Sequence, residues 1–205
     1  EEVGVELWCN QICDKTKDLI AKYVTGKAWA VTYSDENKPK YKAMRVMFKA
    51  SLNRPSTPKW FVWFDDDSYV TSASWFQDTV AYIESKASDN VCYIGQPWYI
   101  NMYPGQLRFI QRAKWFKGKP PLTRGKGAVI EFAQGAYWWL RSDVAEQLDW
   151  PDERLNHNGG DTLLGEAIRQ QGLPFHKFYK GVKINEAKRR GFSEKPAGSE
   201  REIRI

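Results

Sequence analysis

Lys59–Phe64 (KWFVWF) is apolar nearly throughout and runs straight into three aspartates, Asp65, Asp66 and Asp67. A strand-length run with no polar face is expected where a strand is central and covered on both faces, so the chain needs layers on either side of a sheet. Adjacent carboxylates repel one another, and placing three together is unfavourable unless a cation or hydrogen-bond donors neutralise them. In α/β sheets ligands bind beyond the carboxyl ends of strands, which is where this triplet falls. Alternation along an extended strand puts Asp65 and Asp67 on one face and Asp66 on the other. Two carboxylates on a face suit a hard cation, Mn²⁺ or Mg²⁺. The alternative is a strand-end turn whose acids cap the next segment.

The rest of the chain alternates strands with helices. Val5, Trp8, Ile12, Thr16, Leu19 and Tyr23 recur at helical spacing and predict a helix over residues 3–24, stopped by Gly26. Strands are predicted at Ala28–Tyr33, Lys59–Phe64, Val91–Gly95, Ala128–Phe132, Ala136–Leu140 and Pro174–Tyr179, and helices at Tyr41–Ser51, Ser72–Ala87, Ser142–Leu148 and Gly160–Gln171. The pattern argues for a layered α/β fold. Gln96–Lys126 has no period and reads as a lid that orders when ligand binds, with Gly105, Gly118 and Gly125 as hinges.

A chain of 205 residues forms one sizeable core, and 42% hydrophobic with 27% charged residues excludes a disordered or fibrous class. No apolar run approaches the roughly 20 residues of a membrane helix, so no transmembrane segment is expected. The chain opens on Glu without a leader and reads as processed, trimmed or a fragment. Three cysteines, Cys9, Cys13 and Cys92, make no disulfide framework, which favours the cytoplasm over the Golgi lumen. The net charge of +6 sits largely near the end, dividing a domain over residues 1–190 from a basic tail over 191–205. Single-stranded nucleic acid would suit aromatics and basic residues, but the triplet at the strand end argues against it.

Trp60–Val70 (WFVWFDDDSYV) resembles the signature of fringe-type β-1,3-glycosyltransferases, in which the metal-binding acids follow a W-F strand. The resemblance continues in order: Ala28–Glu36 (AWAVTYSDE) is similar to the family's T-W-I-F-T-D-x-E strand, Phe132–Leu148 to its G-G-A segment, and Gly159–Gly172 to its acidic helix start. Gly160 stands where the family has the first acid of a pair, and Gln134 where it has the first Gly. The family's first strand is not visible before Glu1, and its secretory-pathway disulfides are missing.

The resemblance implies a single GT-A-like α/β domain, a mainly parallel sheet flanked by helices and lacking the usual N-terminal strand. It implies metal-dependent, inverting transfer of a sugar from a nucleotide-diphosphate donor, a UDP-sugar, to a glycan or glycoconjugate hydroxyl. Asp65 and Asp67 would hold Mn²⁺ or Mg²⁺, with Asp67 the direct ligand and His176 a further one. Asp66, Ser34, Asp35, Gly135 and Ala136 would bind the donor. Asp161 would be the general base, although Asp at a helix start is commonly an N-cap held at low pKa by the helix dipole. Trp98, Trp138 and Trp139 flank the long segment and the Q-G-A turn, where a flat ring stacks on a sugar, and with His157 they are expected to bind acceptor. Trp60, Trp63 and Trp75 belong to the core. A non-catalytic carbohydrate-binding domain of the same fold is the alternative.

Overall fold

The computed structural model describes residues 3–66, 68–125, 127–156 and 159–184. The order is β1 (Val5–Asn10), α1 (Asp14–Val24), β2 (Trp29–Ser34), α2 (Lys40–Leu52), β3 (Trp60–Phe64), β4 (Tyr69–Val70), α3 (Trp75–Ser85), β5 (Tyr93–Asn101), α4 (Pro104–Gln111), β6 (Leu122–Arg124), β7 (Gly127–Arg141), α5 (Ser142–Gln147), α6 (Gly160–Gln171), β8 (Phe175–Lys177) and β9 (Val182–Lys183). The predicted basic tail lies outside the described residues, and among these no helix is long and apolar enough to cross a membrane.

The layered α/β expectation holds, with corrections. The chain opens on a strand: β1 pairs in parallel with β2 from Val5↔Trp29 to Asn10↔Ser34, and the helix begins only at Asp14. The apolar spacing of Val5, Trp8 and Ile12 fits a helix, but the six-residue ladder with β2 wins because it pairs the backbone of both segments. The sheet is mixed instead of mainly parallel. Its order is β3-β7-β5-β8, with β7 antiparallel to β3, β5 and β6 and only β8 parallel to β5. Gly125, at φ 62°, turns β6 into β7, so a hairpin delivers β7 where a helical crossover would have delivered a parallel strand.

β3 is covered on both faces as its composition requires. Phe61 and Trp63 pack with Trp138, Leu140 and the α2, α5 and α6 layer, whereas Trp60, Val62 and Phe64 pack with Tyr137, Trp139 and α3. It is not central, however; it ends the sheet, bonded to β7 alone among the described strands. In α2, Tyr41, Met44, Phe48 and Ser51 recur at three and four residues and form the buried stripe.

Two predicted strands, Ala128–Phe132 and Ala136–Leu140, are one fifteen-residue strand. Gly95 pairs with Trp138 and Pro97 with Ala133, so four residues of β7, Gln134–Tyr137, oppose the single Gln96 of β5. A bulge of this kind bends a strand and re-aims what it carries, and bulges gather beside functional sites. The segment read as a lid carries the end of β5, α4 and β6, and its Phe109, Ile110, Ala113 and Trp115 are buried in the main core.

Candidate active site

The end of β3 opens into a cleft of about 2070 Å³, lined among others by Lys40, Tyr41, Asp65, Asp66, Gly135 and Asp161. Asp65 is tied down on three sides. Its amide donates to the Ala136 carbonyl (2.9 Å), its Oδ1 accepts from Trp63 Nε1 (2.6 Å), and its Oδ2 accepts from Lys40 Nζ (2.6 Å). Lys40 Nζ also donates to the Gly135 carbonyl (2.8 Å), which spans the bulge in β7. The Lys40 and Asp65 side chains are only 15% and 17% exposed, so the pair is shielded and its attraction is little screened.

Lys40 escaped the sequence reading. The one signal is negative: the first turn of α2 holds no acid, and lysines there oppose the helix dipole, which needs a compensating partner. Asp65, twenty-five positions on in sequence, is that partner.

Asp161 comes to the same place from α6. Gly159 is the N-cap, so Asp161 sits inside the first turn and the expected capping role falls elsewhere. A Cβ built on Gly135 would lie 2.7 Å from Asp161 Oδ2; only glycine lets the β7 bulge and this carboxylate come so close. Tyr41 holds Asp161 from the other side, its hydroxyl accepting from the Asp161 amide (2.8 Å). Desolvation raises the Asp161 carboxyl above the ordinary aspartate value; nearby Lys40 opposes the shift and Asp65 adds to it. Backbone N–H groups at the helix start, from Thr162 and Asp161, also lower its pKa, and burial outweighs them.

Other expected residues scatter. Gly135 and Ala136 are at the centre, bridging Lys40 and Asp65 through their carbonyls. Asp66 is exposed at the cleft wall. Ser34 and Asp35 end β2: Ser34 Oγ donates to the Glu36 carbonyl, and the Asp35 carbonyl accepts from Gln11 Nε2. Trp98 is 50% exposed and lines the cleft. Trp138 and Trp139 are corrections: at 1% and 2% exposure, packed in the two cores, neither can stack on a sugar. His176 is a correction too. It sits in β8, paired with Ile94 of β5 and separated from β3 by β7 and β5, and its Nδ1 meets the Tyr82 hydroxyl at 3.2 Å. Asp67 and His157 lie outside the described residues.

Among the described residues no group of three His, Cys, Asp or Glu side chains gathers to hold a metal ion. Asp65, with a lysine and an indole on its two oxygens, fits an ion pair and not a cation site. Exposed Asp66 does fit a hard cation that keeps room for substrate oxygens.

A model of glycosyl transferase family 2 matches residues 13–149. No curated protein matches the chain. Among solved structures, HddC from Yersinia pseudotuberculosis is 14% identical over 73% of this chain and 60% of its own, with a TM-score of 0.38. A Drosophila β-1,4-galactosyltransferase 7 mutant in complex with manganese, UDP-Gal and xylobiose is 10% identical over 98% of this chain and 79% of its own, with a TM-score of 0.43. The chain thus spans three fifths of the length of the first of these.

Proposed function

The chain belongs to glycosyl transferase family 2, and from that premise we propose that it transfers a sugar from a nucleotide-diphosphate donor, a UDP-sugar, to a glycan hydroxyl with inversion at the anomeric carbon. The observation that carries this reading is the convergence of Asp65, Lys40 and Asp161 on Gly135 and Ala136 of the β7 bulge, at the carboxyl end of β3 and facing one cleft. The fringe-like likeness of Trp60–Val70 extends the proposal to hexosyl transfer.

Inverting transfer needs a carboxylate that takes the acceptor proton as the anomeric carbon is attacked. Asp161 is proposed for this step, since its raised pKa makes it a better proton acceptor than an exposed aspartate. Lys40 holds positive charge at the end of β3, where it orders Asp65 and is positioned to offset donor phosphate charge. Ser34 and Asp35, at the end of β2, are proposed for the nucleoside, and Trp98 is proposed as the ring against which the acceptor sugar stacks. A divalent cation, Mn²⁺ or Mg²⁺, would be held by Asp66 and Asp67, without Asp65 or His176, and would neutralise the diphosphate as the nucleotide leaves.

The test is nucleotide release and sugar transfer from a panel of nucleotide-sugars with Mn²⁺, wild type against Asp161→Asn. The expected result is release by the wild type and retained donor binding without transfer by the variant. A wild type that binds glycan but releases no nucleotide from any donor would replace this reading with a carbohydrate-binding domain.

A further inference from the structure

Residue 160 has no room for a side chain. A Cβ built on Gly160 runs into the Tyr41 ring, against Cζ and both Cε atoms. The ring cannot retreat cheaply: Tyr41 is 3% exposed, its edge-on partner Trp150 lies 6.1 Å away between centroids, and its amide donates to the Asn156 carbonyl at 2.7 Å. The same phenol reaches past Gly160 to the next residue, where its oxygen accepts the Asp161 amide at 2.8 Å. That amide belongs to the first turn of α6, where backbone N–H groups have no partner within the helix. Lys40 Nζ, 5.6 Å from the ring centroid, links the phenol to the Asp65 side of the site.

We propose that Tyr41 is the positioning residue of the site: its ring excludes any second side chain beside Asp161, and its hydroxyl pins the Asp161 amide so that a single carboxylate faces the Gly135 bulge and the acceptor. Because Tyr41 lies in α2 and Asp161 in α6, this contact also locks the helix that carries Lys40 to the helix that carries the base. The proposal rests on the glycosyltransferase reading for its catalytic consequence, but its structural half does not.

Tyr41→Phe keeps the ring and deletes the hydroxyl. In this variant the Asp161 amide should exchange with solvent about tenfold faster while other amides of α6 keep their protection, because one hydrogen bond at one site has been removed. With donor and acceptor, kcat for transfer should fall about tenfold with the KM for donor unchanged, the pattern of a group that orients a base without binding the donor. Gly160→Ala should give the same kcat loss by pushing the ring away, and its effect should shrink in a Tyr41→Ala background, where the Cβ has room. Wild-type exchange at Asp161 together with wild-type kcat in Tyr41→Phe would overturn the proposal. So would a fall confined to donor KM, since Tyr41 would then be a donor contact. A wild-type protein inactive on every donor would sink the glycosyltransferase reading alone, and Asp161 amide exchange would still decide whether Tyr41 positions the residue.

Discussion

Gly135 of the β7 bulge and Asp161 of α6 are packed so closely that a single methyl group at residue 135 would stand 2.7 Å from the Asp161 carboxylate oxygen. The glycine is thus part of the geometry of the site.

Gly135→Ala should displace Asp161 and disturb the carbonyl that receives Lys40. Overpacking of this kind costs about 1–3 kcal/mol of stability. The larger effect should be on turnover, a fall of about a hundredfold, because misplacing a reacting group by an ångström is enough for that. Steady-state kinetics beside urea unfolding would check both; an alanine variant with wild-type kcat would show that Asp161 does not need this approach.

Lys40→Met leaves Asp65 with its indole partner and no countercharge. Removing one member of a shielded pair costs about 3 kcal/mol, and the loss should be partly recovered by Asp65→Asn in the same chain. Chemical denaturation of the two single variants and the double variant measures the coupling. Additive losses would mean that the two side chains act independently.

Asp161 makes the pH dependence predictable in sign. Its folded pKa lies above the unfolded value of about 3.9, because burial disfavours the charge. The folded state therefore holds the extra proton, and the stability this group contributes is full below the unfolded pKa and lost as pH rises through the folded one. Transfer should run the opposite way, rising as Asp161 ionises, with its acidic limb above the ordinary aspartate range. Replacing Asp161 by Asn should flatten the stability profile in that window. An unchanged profile would remove the assigned shift.

Trp98→Ala and Trp138→Ala should separate binding from packing. Trp98 is half exposed on the cleft, so its loss should raise the acceptor KM several-fold and leave unfolding nearly unchanged. Trp138 stacks on Trp63 in the core, and truncating it should cost about 3–5 kcal/mol. Thermal unfolding with acceptor titration distinguishes them, and equal stability losses would contradict the placement of Trp98.

Local pattern alone determined that this is a layered α/β chain with a two-faced apolar strand ending in acids. Covering both faces of Trp60–Phe64 leaves few other architectures, and the helix expected over Tyr41–Ser51 matches α2 to within a residue at either end. Asp161 at the start of α6 and the Gly135–Ala136 pair, which falls in the β7 bulge, were singled out by the resemblance to the fringe-type family, through short motifs in order along the chain. What local pattern could not decide was pairing. A six-residue run whose apolar spacing reads as helix became β1 because β2 offered it a ladder, and β7 turned the sheet mixed because a hairpin brought it in antiparallel. Trp138 and Trp139 beside a glycine turn look like a sugar platform in one dimension, yet each faces a core on opposite sides of one sheet. Lys40 lies ninety-five residues from Gly135 and twenty-five from Asp65, and a lysine bound to both announces itself only when three separate elements meet. Hydrogen-bond partners and close approaches depend on distances between elements, which the tertiary structure sets through burial of the whole core; periodicity within one element carries no record of them.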